Sequence, residues 1–150
     1  MTKTATPFQK PTFVERVFNA SVGALLRSGI GLSHMRLLEV RGRKTGRLYT
    51  MPVDLLTFDG RLFLVGARGH TQWSRNAAAA GSVVLRRGAD ARKYALRALA
   101  DAEKPPVLAA YLDRFRREVA RFFPVPPGSG PDAFTALAPR YPAFELVQRS

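Results

Sequence analysis

The stretch MRLLEVRGRKTGRLYTMPVDLLTFDGRLFLVGA, residues 35–67, decides the fold. Met35 to Arg41 is rich in branched apolar residues and reads as a strand. Gly42-Arg43-Lys44-Thr45-Gly46 follows, two glycines around three polar residues, and reads as a tight turn. Leu48 to Phe58 reads as a second strand. Its inner Pro52 has no N–H for a ladder, so this strand belongs at an edge, a bulge or a bend. Asp59-Gly60 is a strong two-residue hairpin signal, and Arg61 to Ala67 is the third strand.

Outward from this meander the pattern continues with short elements. Thr71 can cap a short helix through the alanines of NAAAAG, residues 76–81, with Gly81 as its stop. Ser82 to Arg87 is a fourth strand, and GAD turns the chain into a fifth over 91–100. Pro105-Pro106 suits the first turn of a helix that runs to about Phe122 and stops before Pro124. PVPPGSGP, residues 124–131, is a loop, and Ala143 to Gln148 alternates as a sixth strand. Upstream, residues 1–11 read as a flexible arm. Thr12 and Glu15 form a capping box, and apolar residues at 14, 17, 18, 22, 25 and 26 have helical spacing, which predicts a helix over 12–28. Hairpin connections dominate and no run of βαβ units appears. The expectation is an α+β, mainly β domain spanning 1–150, with about six mostly antiparallel strands in a closed or half-closed sheet and flanking helices.

Composition narrows the chemistry. The 150 residues carry 24 Lys and Arg against 11 Asp and Glu, a net charge of +13, so the expected partner is anionic. With no cysteine, disulfides, thiolate metal sites and a Cys nucleophile are excluded. Two lone histidines, His34 and His70, give no metal-ligand spacing, and no metal is expected. No Ser-His-Asp order or paired acids anchor a hydrolase. If the protein does chemistry, a bound cofactor carries it. Short apolar runs and the lack of a secretory leader predict a cytoplasmic protein. The 12–28 helix, with Arg16, Arg27, Phe13 and Phe18, is either core-packed or a peripheral membrane contact.

Three constellations stand out. Between Arg41 and Arg47 lie four cations and no acid. A Gly-bounded turn exposes amides that can nest an anion. Lys44 adds a mobile charge, Arg43 and Arg47 add planar forks, and Thr45 adds a hydroxyl. The alternative is a solvated hairpin tip. In TQWSRN, Trp73 and Asn76 share a helix face, as an aromatic wall with an amide or as a core anchor with a local cap. Gly66, Ala67 and Gly69 either let a flat ligand approach the backbone or form a bulge and loop.

Taken in order, these pieces resemble the deazaflavin-dependent nitroreductase family, which is similar to the split β-barrel flavin reductases. The pattern is a strand, G-R-K-[ST]-G, a strand with an inner proline, a D-G hairpin, a small-residue strand end and W-x-x-N. It is met here by Gly42 to Gly46, Pro52, Asp59-Gly60, Gly66-Ala67 and Trp73 to Asn76, within residues 34–100. The resemblance implies a split β-barrel that binds coenzyme F420, an 8-hydroxy-5-deazaflavin with a phosphate and an oligoglutamate tail. It implies hydride transfer to a quinone or nitro-type acceptor. Lys44, Thr45 and the turn amides would take the phosphate. Arg41, Arg43 and Arg47 would meet tail carboxylates, with Gly46 closing the turn. Pro52, Gly66 and Ala67 would border the ring, while Trp73 and Asn76 would close the tail-side groove. Tyr49 stands where many members carry an arginine. Tyr49, Asp54 and Tyr141 are the candidate catalytic groups, Tyr49 and Tyr141 as proton donors and Asp54 at a pocket position. The rival readings are an FMN-binding split-barrel reductase and a nucleic-acid-binding domain, the latter leaving the D-G and W-x-x-N spacing unexplained. The assembly expected is a monomer or a homodimer.

Overall fold

A computed structural model describes residues 34–148. The arm at 1–11 and the helix at 12–28, with its membrane contact, lie outside the described residues. Seven strands form one sheet: β1 (Met35–Arg41), β2 (Leu48–Asp54), β3 (Leu56–Phe58), β4 (Arg61–Val65), β5 (Ser82–Arg87), β6 (Asp90–Ala98) and β7 (Ala143–Gln148). Three helices accompany them: α1 (Gln72–Ala80), α2 (Lys104–Arg114) and α3 (Arg116–Val119). The sheet order is β2-β1-β5-β6-β7-β4-β3, and every neighbouring pair is antiparallel.

The end strands of this order, β2 and β3, are consecutive in the chain and separated by Leu55 alone. The sheet therefore curls until its two edges meet in one segment, which is how a half-barrel is made from a single sheet. The single strand expected over 48–58 is two strands. Asp54 is opposite Met35, the first residue of β1, so the ladder to β1 ends there. The Leu55 N–H then donates to the His34 carbonyl at 2.7 Å, and Leu56 starts a new ladder opposite Phe63. Pro52 lies on the edge strand β2, where a missing N–H costs no ladder bond.

Local chemistry fixes the other boundaries. Asp59 and Gly60 have φ of 54° and 71°, the left-handed pair of a tight hairpin. β4 ends at Val65 rather than Ala67, because the Gly66 N–H donates to the Pro142 carbonyl and Gly69 turns back onto Gly66. Thr71 occupies the N-cap of α1, where Ser74 Oγ accepts the Thr71 N–H at 3.0 Å, and Gly81 closes the helix at φ 71°. The helix expected to reach Phe122 breaks at Phe115, which has φ −112° and ψ 31°. Its ring is almost wholly buried, against His34 at 4.9 Å and Tyr111 at 5.2 Å. The chain resumes as the short α3 and a 3-10 turn over Ala120–Phe122.

Two apolar clusters hold the sheet. Leu38, Val40, Leu64, Val83, Leu85, Phe144 and Leu146 fill one, with Ala77 of α1. Leu56, Phe63, Val65, Leu108, Leu112, Phe115, Phe134 and Ala143 fill the other, beneath α2 and α3. Side chains alternate across a strand, so β4 sends Phe63 and Val65 to one cluster and Leu64 to the other. β7 divides Ala143 and Phe144 in the same way. This is why Leu62 to Val65 reads as a continuous apolar run: both faces are buried.

Candidate functional site

The β1–β2 hairpin presents its turn to the side of α1. Inside the turn, the Gly42 N–H donates to the Arg47 carbonyl at 2.7 Å and the Gly46 N–H to the Gly42 carbonyl at 3.0 Å. Gly46 has φ 75°, a conformation that resists any side chain. Arg41 Nη1 braces the turn by donating to the Gly46 carbonyl at 3.0 Å, and the Arg47 N–H donates to Thr45 Oγ1 at 3.2 Å. A Cβ on Gly42 would lie 2.6 Å from Tyr49 Cε2, so this glycine is what lets the Tyr49 ring lie against the backbone.

Asn76 clamps this turn to α1. Its Oδ1 accepts the Arg43 N–H at 3.1 Å and Arg43 Nη1 at 2.7 Å. Arg43 Nη1 also donates to Gln72 Oε1 at 3.0 Å, one helical turn before Asn76. Asn76 is buried, so its amide replaces water for a cation that would otherwise wave free. With Gly42, Arg43, Gly46 and Arg47 spoken for, the turn amides of Lys44 and Thr45 have no hydrogen-bond partner among the described residues.

Turn, strand and helix enclose a cavity of about 330 Å³. Arg43, Lys44 and Thr45 form its cationic rim. Val40, Met51 and Trp73 form apolar walls, and Tyr49, Thr50, Gln72 and Asn76 complete it. Among the described residues, no acidic side chain lines it. Glu39, the last acid before the turn, pairs with Arg86 of β5 instead. The rim thus carries positive charge that no described residue neutralises, beside a low-dielectric wall that strengthens it. Trp73 is half-buried and packs on Phe144 at 6.2 Å, so it serves as wall and core anchor together.

The structure brings Arg43, Lys44, Thr45, Trp73, Asn76 and Tyr49 to one cavity. Arg41, Gly46 and Arg47 belong to the same turn without lining it, and the Arg47 guanidinium lies 5.8 Å from the Tyr49 ring centre. Pro52 follows Met51 on β2, next to the wall. Gly66 and Ala67 are elsewhere, at the end of β4. A Cβ on Gly66 would meet Pro142 Cγ at 2.6 Å, and Ala67 packs on the cluster beneath α2. Asp54 lies at the other end of the hairpin, about 20 Å from the turn for six extended residues. Tyr141 is buried; its hydroxyl donates to the Phe122 carbonyl at 2.7 Å, its ring stacks on Phe123 at 4.5 Å, and burial raises its pKa. Reasoning from sequence missed Gln72, Met51, Thr50 and Val40. Gln72 was findable, since it stands four residues before Asn76 on one helix face.

The sequence profile described as F420H(2)-dependent quinone reductase matches residues 9–121 of the 150. The chain belongs to the F420H(2)-dependent quinone reductase family. The family match includes the whole hairpin, α1 and the cavity they enclose. A search of curated proteins finds no match. Among solved structures, the chain is similar to a domain-swapped dimer at TM-score 0.55 and 16% identity, covering 89% of this chain and 92% of that one. It is similar to an F420-H2 dependent reductase, FDR-A, at TM-score 0.51 and 16% identity, covering 76% and 94%. A FAD-binding protein from Mesorhizobium loti aligns at TM-score 0.51 and 14% identity, covering 87% and 89%. At these identities the likeness is one of fold, and it agrees with the curled antiparallel sheet of this quinone reductase family member. No helix among the described residues is long and apolar enough to cross a membrane.

Proposed function

We propose that this chain binds reduced coenzyme F420 at the β1–β2 turn and passes its hydride to a quinone or nitro-type acceptor. The observation that carries the reading is the acid-free cationic rim, with Arg43 clamped to Asn76 and two amides left to receive an anion. The residues present fit such a ligand. Lys44, the Thr45 hydroxyl and the Lys44 and Thr45 amides would hold the phosphate. Arg41 and Arg47, exposed on the same turn, would meet tail carboxylates, and the remaining N–H groups of Arg43 would reach the cavity.

When bound, the deazaflavin supplies the hydride; the protein supplies position and electrostatics. Val40, Met51 and Trp73 would exclude water from one side of a flat ring, with Pro52 bordering it along β2. Tyr49, whose ring lines the cavity, would give the acceptor a proton, or solvent would. No side chain need act as a nucleophile.

A fluorescence titration of the purified protein with F420 tests this, with FMN in parallel at low and moderate salt. Saturable binding to the deazaflavin, weakened in Lys44→Ala, is the expected result. Preference for FMN would transfer the site to the flavin reductases. Binding to neither, with retention of mixed DNA and RNA on a filter that weakens steeply with salt, would transfer it to nucleic acid.

A further inference from the structure

The end of the β1–β2 hairpin opposite the turn has its own chemistry. His34 precedes β1, Asp54 ends β2, and Glu118 comes from α3. Their ligating atoms all lie within 4.8 Å of one another, the one such group among the described residues. His34 Nε2 stands 3.3 Å from Asp54 Oδ1. Yet this nitrogen is buried and makes no hydrogen bond among the described residues. A buried imidazole nitrogen aimed at a carboxylate without a proton aligned between them is an orphan that needs an explanation.

We propose that His34, Asp54 and Glu118 bind one divalent first-row transition cation, of the Zn²⁺ class, which joins α3 to the base of the hairpin. An imidazole with two carboxylates is a chemically sound ligand set for such an ion. Donors about 2.0–2.1 Å from a tetrahedral ion are about 3.4 Å apart, which the His34–Asp54 separation already matches. Glu118 is exposed, so its side chain can swing in by the remaining distance, and its open side admits the ion and a water for the fourth position. Arg114 faces both His34 and Asp54, and Arg36 faces His34, so a bound cation must hold against their positive charge. The Arg114 guanidinium lies over the Phe115 ring at 5.2 Å, and Tyr111 is buried among aromatic rings. The site is separate from the anion cavity and independent of the reading given for it.

The test is a calorimetric titration of the chelator-treated full chain with ZnCl₂, with MgCl₂ as a hard-cation control, and thermal melts with and without the metal. One equivalent of Zn²⁺ should bind and raise the melting midpoint. Glu118→Gln, a change at an exposed position, should weaken binding by more than the about 10–100-fold typical of losing an outer-shell partner. His34→Gln should do the same. His70→Gln should leave binding intact, since the chain has only these two histidines. Absence of stoichiometric binding, or binding kept in Glu118→Gln and lost in His70→Gln, would overturn the proposal.

Discussion

The two ends of the β1–β2 hairpin are chemical opposites. At the turn, cations crowd an exposed rim, and no acid among the described residues answers them. At the base, a histidine and two carboxylates meet, with Asp54 largely buried. Seven paired residues, Met35 to Arg41 against Asp54 to Leu48, separate the two ends. The turn is assembled from neighbours in sequence and then locked from α1. The base is assembled from residues 84 positions apart, His34 and Glu118, which meet only because α3 folds over the end of the sheet. Charge written in one short segment can be read early; charge gathered by packing cannot.

The most severe way to break the comparison is to remove what both ends share. Leu38 lies mid-hairpin and is fully buried. Leu38→Ala should cost about 2–5 kcal/mol in chemical denaturation and weaken both ends together. A Leu38→Ala protein that kept its stability, or that weakened one end and spared the other, would show that the hairpin is not one rigid lever.

Titration separates the ends next. Burial, and then the negative charge of Glu118, raise the Asp54 carboxyl to about 6 from 3.8. A raised carboxyl pKa favours the folded state fully below the unfolded value and loses that contribution as pH rises through the folded one. In chelator, the native state should therefore lose about 3 kcal/mol relative to Asp54→Asn between about pH 3 and pH 7, about 2 kcal/mol of it between about pH 4 and pH 6. Burial lowers the pKa of His34, so its effect has the opposite sign, with stability lost as pH falls below the ordinary imidazole range. The difference between wild type and Asp54→Asn across that window isolates the carboxyl; a pH-independent difference would contradict its burial.

At the turn, Lys44→Ala should weaken deazaflavin binding by about 1.5–3 kcal/mol, with the melting midpoint unmoved, because Lys44 is exposed and its side chain is not part of the clamp. Smaller again, Asn76→Ala should cost about 1–3 kcal/mol of stability, since it leaves the Arg43 N–H without its acceptor and the guanidinium with Gln72 alone. It should also loosen the turn enough to weaken binding. Equal effects of Lys44→Ala and Asn76→Ala on stability would erase the distinction between a ligand-facing and a positioning residue.

What was legible in the sequence follows the same division. Asp59-Gly60 announced its hairpin because only those residue types accept the left-handed pair it requires. Gly81 stopped α1 for the same reason. The basic turn and the Trp73–Asn76 spacing located the cavity. The split at Leu55 was hidden because nothing local marks it: the strand changes partners when β1 runs out, a fact of register. The break at Phe115 was hidden likewise, since its cause is a ring packed against His34 and Tyr111. The role of Asn76 as acceptor for Arg43 spans 33 residues and needed the fold. Two lone histidines gave no hint that one of them would meet two carboxylates.

The central claim is that the Lys44 and Thr45 amides wait for the anionic part of a deazaflavin. It is tested most directly by an amide ¹H–¹⁵N titration of the labelled protein with F420. The account predicts that these two amides shift downfield and saturate together, while the amides at the base of the hairpin stay in place. Saturable F420 binding that leaves Lys44 and Thr45 unmoved would contradict it.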